Sequence, residues 1–423
     1  MTLKEPIVTL SHPSRFASSA FLLLGVLLIA ISLRSPITGV GPLLDAIRAE
    51  LHLSATQAGM LTTLPLLAFA FFSPVASKIG AKRGLEQGLM LSLLFILTGL
   101  VVRSLGSTSA LFIGTVVIGA GIAFANVLLP SLMKRDFPTR ITTMTSMYVL
   151  MMGAGSAMSA SLAIPLTEMA NQLSITVIPS WAFALGALVI FPLIAIIVWL
   201  PQMRNHTAPS QDTQAFDSHS YLWRNASAWQ ITLFLALNSF LMYIFISWLP
   251  TILVDSGFSH HEAGVIHGVL QLFTAVPALV LIPFMNKFND KRLLSLSLTL
   301  MALIGIIGLI VKPEFAMIWG MLFGFGAGGG FIVALALISL RTTSAQQAAT
   351  LSGMAQFLGY LLAATGPMII GELHELTANW QIPLMLCAFC AVLWSVFSVF
   401  AAKDELITPS EHDTPAPLVE NLS

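Results

Sequence analysis

Leu53-Ser54-Ala55-Thr56-Gln57-Ala58-Gly59 returns 205 residues later as Phe258-Ser259-His260-His261-Glu262-Ala263-Gly264, and this recurrence organises the reading of the whole chain. In each copy a Ser is followed three residues on by Gln or Glu, just before a long apolar run. That spacing makes a capping box: the Ser oxygen takes one of the unsatisfied N–H groups of a new helix, and the Gln or Glu side chain reaches back to the Ser backbone. Two further echoes stand at an offset of 207, Gly119-Ala120-Gly121 with Gly326-Ala327-Gly328 and Thr145-Ser146-Met147 with Ser352-Gly353-Met354. A pattern repeated at half the chain length predicts two halves of one ancestral design.

What each half is made of follows from the solvent it demands. Of 423 residues, 56% are hydrophobic and only 9% charged, against about 25% charged in a soluble chain. Too little charge is present to coat a water-facing surface, so the bilayer is the main solvent. A spanning helix needs about 20 mostly apolar residues, and twelve such runs are legible: 17–45, 55–77, 85–103, 108–133, 140–166, 178–200, 229–254, 261–285, 291–311, 315–340, 346–373 and 379–402. The first run outlasts the about 7–15 apolar residues of a signal peptide, and no cleavage-like site follows it, so it is expected to be retained as a span. Pro36, Gly39, Gly41 and Pro42 inside it predict a kink.

Orientation comes from Lys and Arg in the short connections. One side collects fifteen of them, Lys4, Arg15, Lys78, Lys82, Arg83, Lys134, Arg135, Arg140, Arg204, Arg224, Lys287, Lys291, Arg292, Arg341 and Lys403, and the other only Arg48, Arg103 and Lys312. The basic side is therefore read as cytoplasmic, with both termini on it, in a plasma (inner) membrane. Residues 1–203 are expected to form a six-helix bundle, 204–228 a polar cytoplasmic linker, 229–402 a second six-helix bundle and 403–423 a disordered cytoplasmic tail rich in Pro and acidic residues. The fold class is thus all-α integral membrane, twelve transmembrane helices in two pseudo-symmetric bundles.

Several functions are disfavoured on the same grounds. Lys and Arg total 19 and Asp and Glu total 19, so the chain has no basic footprint for nucleic acid. Cys387 and Cys390 lie in an apolar run and read as small helix residues, with no polar cradle for a redox centre or metal. Neither a Walker loop, an H-E-x-x-H zinc motif nor a G-x-S-x-G elbow occurs. No cofactor or metal is called for, and the chain is not expected to be an enzyme. A sensor would need an attached signalling domain, for which the 201–228 connection and the tail are too short, and an intramembrane enzyme would need a paired acid and base.

Two parallel six-span halves with a site between them near the midplane is the arrangement of major facilitator transporters. A resemblance to that superfamily is carried by Ser73-Pro74-Val75-Ala76-Ser77-Lys78-Ile79-Gly80-Ala81-Lys82-Arg83, which occupies the place of the signature loop between spans two and three. Lys78, Gly80, Lys82 and Arg83 match that pattern as gate and topology residues, whereas Ser77 stands where an Asp is expected, so the charge-pair latch attributed to that Asp is in doubt here. More narrowly, the chain resembles the cyanate/2-nitroimidazole transporter family. That likeness rests on Leu33-Arg34-Ser35-Pro36-Ile37-Thr38-Gly39, Leu61-Thr62-Thr63-Leu64-Pro65, Asn126-Val127-Leu128-Leu129-Pro130, Lys134-Arg135-Asp136-Phe137-Pro138, Trp248-Leu249-Pro250, His267-Gly268 and Leu351-Ser352-Gly353-Met354-Ala355-Gln356. The resemblance implies transport of a small molecule, a cyanate-like anion or a 2-nitroimidazole-like compound.

Polar residues inside spans are the candidate site. Arg34 in span one costs a few kcal/mol unless it faces a cavity or a partner, and its planar donor fork suits an anion or a nitro group; the competing view is a structural Arg bonded to carbonyls. His267 and Gln271 are one turn apart in span eight. A His there can bind substrate or carry a coupled proton, or simply hydrogen-bond a neighbouring helix. Asn126, Asn238 and Gln356 place amides where lipid would penalise them, and Tyr148, Tyr243 and Tyr360 offer amphipathic walls. Trp248, near the outer end, reads equally as an interfacial anchor or a substrate contact. Asp45, Asp136 and Asp255 lie outside the span cores, so no carboxylate proton relay is read. The expected function is secondary active or facilitative transport by a monomer through alternating access, with a drug or metabolite exporter of the same fold as the alternative.

Overall fold

The computed structural model describes residues 15–174, 177–204, 218–287 and 290–408. Among these, twelve helices are long and apolar enough to cross a bilayer. The first half holds α1 (Arg15–Thr38), α2 (Leu44–Glu50), α3 (Ala55–Arg83), α4 (Leu85–Arg103), α5 (Thr108–Asp136), α6 (Ile141–Gln172), α7 (Ser180–Ala187) and α8 (Ile190–Trp199). A short helix α9 (Ser218–Arg224) precedes the second half: α10 (Ala226–Asp255), α11 (His260–Lys287), α12 (Arg292–Val311), α13 (Ala316–Leu340), α14 (Ala345–Thr377) and α15 (Gln381–Ala401). The short α2 is not long enough to cross a bilayer, and α7 with α8 make one candidate span interrupted at Leu188 and Val189.

Both capping boxes form. Ser54 Oγ accepts from the Gln57 N–H at 3.2 Å while Gln57 Oε1 accepts from the Ser54 N–H at 2.9 Å, and Ser259 with Glu262 repeats the pair at 3.2 and 2.9 Å. The halves also repeat their packing. In the first, α4 lies on α5, α3 on α5 and α1 on α6; in the second, α12 lies on α13, α11 on α13 and α10 on α14. Small residues permit the close crossings that lipid-embedded helices rely on. A Cβ added at Gly328 would strike the Thr274 carbonyl of α11, and one at Gly121 would lie 2.7 Å from the Ser92 carbonyl of α4.

Proline sets the first kink. Pro36 has no N–H, α1 stops at Thr38, and Val40 turns its N–H to Ile37 at 3.4 Å, opening a 3-10 turn at Gly41–Leu43. The Pro36 carbonyl is capped from outside the helix: Arg103 Nη1 donates to it at 2.6 Å. This corrects the placing of Arg103 in an outer connection. Its side chain is fully buried, and among the described residues its Nε and Nη2 have no partner. A cation at a helix C-terminus is favoured by the exposed carbonyls there, which gives this Arg a reason to lie inside.

The expected disorder does not begin at Lys403. Arg341 at the end of α13 holds the Asp404 carboxylate and, through Nη2, the Ala402 carbonyl at 2.9 Å. Ile407 is buried, donates its N–H to the Arg341 carbonyl at 2.8 Å and accepts from Gln347 Nε2 at 2.9 Å. Tyr221 of α9 donates its hydroxyl to the Thr408 carbonyl. Lys291 sits against this cluster, where burial first and then Arg341 push its ammonium below the usual lysine range. Residues 409–423 and 205–217 of the expected tail and linker lie outside the described residues.

The two halves meet along α3 with α14 and α6 with α11, and they meet on the linker side. A Cβ at Gly353 of α14 would touch Ser77 Cβ of α3 at 3.1 Å. Gly59 lies on the same face of α3, about five turns away, and a Cβ there would meet nothing within 4 Å. On α11, Ala275 lies 3.1 Å from where a Gly153 Cβ of α6 would stand, yet Gly268 and Gly264, about two and three turns further on the same face, face open space. The halves therefore splay apart away from the linker side. Gly268→Ala is expected to leave the melting temperature of the detergent-purified protein unchanged or raise it, since Ala is the better helix former by about 1 kcal/mol. Gly328→Val is expected to lower stability by about 1–3 kcal/mol through overpacking against backbone. Thermal unfolding of the two variants side by side checks both.

Candidate functional site

Three of the chain's four tyrosines gather with Arg34 between the halves. The Arg34 charge acts on both Tyr243 and Tyr360, and Tyr360 in turn interacts with Tyr148 and Tyr243. Arg34 and Tyr243 are half-buried, Tyr148 and Tyr360 buried. The residues come from α1 and α6 of the first half and α10 and α14 of the second. Among the described residues, no hydrogen bond or ion pair reaches the Arg34 guanidinium. Among the described residues, a cation whose donors take no protein partner thus stands within electrostatic reach of two phenols, an arrangement that can hold a small group bearing negative charge on oxygen. Phe69 of α3 packs on Tyr360, the two rings meeting edge-on with centroids 4.9 Å apart.

Asn126 of α5 joins this group, its Nδ2 donating to the Tyr360 hydroxyl at 3.3 Å. Gln356 of α14 lies beside it and donates to the Asn126 main-chain carbonyl at 2.7 Å. His267 and Gln271 form a separate pair on α11, their side-chain nitrogens 3.5 Å apart and both half-buried on the face that leads into the open side of the gap. The expected amide at Asn238 goes elsewhere. It is buried and donates to the Ala327 carbonyl at 2.8 Å, tying α10 to α13 inside the second half. Trp248 is likewise structural: its Nε1 donates to the Pro367 carbonyl at 2.7 Å and its ring packs against Trp380.

The signature-loop residues divide. Lys78, Lys82 and Arg83 are exposed, while Gly80 is buried where any Cβ would strike Leu128 of α5, which makes it a packing residue. The ion pair on this side is built from other residues. Glu86, buried at the start of α4, lies 2.7 Å from Arg135 at the end of α5, and Arg135 also grips Asp136 at 2.8 Å through two nitrogens. Glu86 escapes a sequence search for span carboxylates because it sits in the first turn of its helix, where an acid is ordinary. Cys387 is buried and Cys390 half-buried, both as free thiols, and the described residues hold no group of three or more His, Cys, Asp or Glu side chains suited to a metal.

This constellation can be set beside known proteins. A family model described as Major Facilitator Superfamily matches residues 20–367 and again residues 236–421. The chain belongs to the major facilitator superfamily. It is 45% identical over 386 residues to the 2-nitroimidazole transporter of Escherichia coli (strain K12), spanning 91% of this chain and 96% of that one. It is 26% identical to the cyanate transport protein CynX of the same organism, over 88% and 94% of the two chains. Among solved structures, the superfamily transporter FucP in its outward conformation superposes with a TM-score of 0.73 at 14% identity, covering 91% of this chain and 99% of that one. The proton:xylose symporter XylE gives 0.73 at 12%, covering 91% and 96%. The protein is thus a multi-pass membrane transporter and not an enzyme, and members of this superfamily work by alternating access: a site between two halves opens to one side and then the other.

For this major facilitator transporter, the geometry separates Asn238 from the gap-lining residues. Asn238→Ala is expected to lower stability by about 1–2 kcal/mol through one lost buried hydrogen bond and to leave the KM for transport unaltered. Thermal unfolding together with initial uptake rates checks this.

Proposed function

We propose that the transporter carries a small planar molecule bearing a nitro group or a compact negative charge, in the class of 2-nitroimidazole or cyanate, and that Arg34 holds it. The observation that carries this reading is the Arg34 guanidinium itself, which has no protein partner among the described residues and acts on Tyr243 and Tyr360, with Tyr148 beyond Tyr360. The identity to a 2-nitroimidazole transporter supports the same class. A nitro group presents two oxygens at the spacing of a carboxylate, so the planar fork of Arg engages it where a Lys point charge does not. Tyrosine faces stack on a flat ring and their hydroxyls donate to its rim.

The gap open on the side away from the linker makes this the state that receives solute from that side. We place the linker side in the cytoplasm, on the sequence bias of fifteen basic residues to two, Arg48 and Lys312, once the buried Arg103 is left out, so the described state faces outward in a plasma membrane. The bundles 1–203 and 229–402 act as the two rocking bodies with 204–228 joining them, and one chain supplies the whole site, so the monomer is the working unit. His267 is the candidate for a coupled proton, because the described spans place no carboxylate beside Arg34 and an imidazole titrates near neutrality.

The test is uptake of labelled 2-nitroimidazole and of labelled cyanate into proteoliposomes, with and without an inward proton gradient. Arg34→Ala is expected to weaken substrate affinity about ten- to a hundredfold, the worth of one charge-assisted hydrogen bond, with the protein still folded, and Arg34→Lys to recover little of it. Gradient stimulation that disappears in His267→Ala supports proton coupling. Uptake of neither compound by the parent protein refutes the substrate class.

A further inference from the structure

Pro130 lies in the last two turns of α5 and has no N–H to give. In an uninterrupted helix that N–H bonds to the carbonyl four residues earlier, which here belongs to Asn126. The carbonyl so released is claimed by the other half of the molecule. Gln356 Nε2 of α14 donates to it at 2.7 Å, and Ser352 Oγ stands 3.5 Å away. One turn further, the Pro130 carbonyl accepts from Ser339 Oγ of α13 at 2.7 Å. Donors on α13 and α14 thus converge on two consecutive turns of α5, on the side where the halves touch.

The same residue also faces the site. While its carbonyl is held by Gln356, the Asn126 side chain donates to Tyr360, one of the phenols around Arg34. Among the described residues the lattice is made of amides, hydroxyls and carbonyls, and it is incomplete: Gln356 Oε1 and Ser77 Oγ are buried without partners there. An unsatisfied buried acceptor raises the energy of the closed arrangement, so this contact is strong enough to shut the linker side and weak enough to open in each cycle. It also stands where the signature Asp of the superfamily is replaced by Ser77.

We propose that the Asn126 carbonyl, released by Pro130, is the bolt of the linker-side gate, and that the Asn126 side chain couples this bolt to occupancy of the Arg34 site. Pro130 and Ser339 are then positioning residues for the transport step. The coupling half of this proposal rests on the Arg34 reading above; the bolt does not. A substrate oxygen that takes the Tyr360 hydroxyl removes the partner of the Asn126 amide and loosens the turn whose carbonyl Gln356 holds.

The test uses the full chain in lipid nanodiscs with Cys387→Ser and Cys390→Ser as background and a maleimide as probe. Two single reporters are compared, Ser77→Cys at the closed contact and Gly59→Cys on the open side. Adding Pro130→Ala returns an N–H to the Asn126 carbonyl, and adding Ser339→Ala removes the second donor. Each is expected to raise labelling at Ser77→Cys about two- to tenfold, the population shift of one ordinary hydrogen bond, while labelling at Gly59→Cys falls. Saturating 2-nitroimidazole is expected to raise Ser77→Cys labelling in the otherwise unaltered gate and to add little once Pro130→Ala is present. Opposite shifts at the two reporters support the bolt; a rise at both positions, or at neither, overturns it. If Pro130→Ala shifts labelling but 2-nitroimidazole does not, the coupling is overturned, and the uptake assay tells whether the substrate reading fell with it.

Discussion

A carbonyl that loses its helical N–H inside a bilayer has no water to turn to, so another part of the protein must supply a donor. This constraint links the kinks of the structure to its function. Pro36 ends α1 early, and the released turn is capped by Arg103 from α4. Pro130 interrupts α5, and the released carbonyl is taken by Gln356 from the opposite half. In α14, the carbonyl of Pro367 receives Trp248 from α10. At each proline a nearby carbonyl takes a donor from another helix, and at Pro130 it is the carbonyl that the missing N–H sets free. One ties the first half together, one ties the second, and one joins the halves to each other. The proposed gate opens by breaking only the last of these.

The repeat made most of the fold legible. Capping boxes at Ser54 and Ser259 are local chemistry, decided by residues three apart, and they form as their spacing predicts. The twelve spans follow from hydropathy because a bilayer permits few alternatives. Arg34 and the tyrosines stand out in the sequence too, since a polar side chain within an apolar run needs a reason to be there. What the sequence could not convey was partnership. Asn126 and Asn238 are the same residue type at similar depth, yet one lies against Tyr360 in the gap and the other is locked onto Ala327 inside a bundle. Arg103 and Arg341 sit at span ends, where basic residues ordinarily meet water, and both are buried. Those outcomes depend on contacts between residues more than sixty positions apart, which no local pattern encodes.

Charge is used differently on the two sides of the gap. On the linker side, Glu86, Arg135 and Asp136 form an ion cluster within the first half, while contact between the halves at this end is carried by Asn126, Gln356 and Ser339. A strong electrostatic contact inside a rocking body keeps that body rigid, and uncharged bonds between bodies keep the barrier to motion low. The one cation without a protein partner in the gap, among the described residues, is Arg34, so no neighbouring carboxylate has already neutralised its charge.

The fastening of residues 402–407 onto Arg341 has a consequence for how the molecule is made. Asp404 is synthesised 63 residues after Arg341, with α14 and α15 threaded into the membrane between them. During that interval the Arg341 guanidinium lacks its final ligands, and the end of α13 has every reason to stay near the aqueous boundary. The bonds that bury Arg341 can therefore form only once α14, α15 and the strap have all been made.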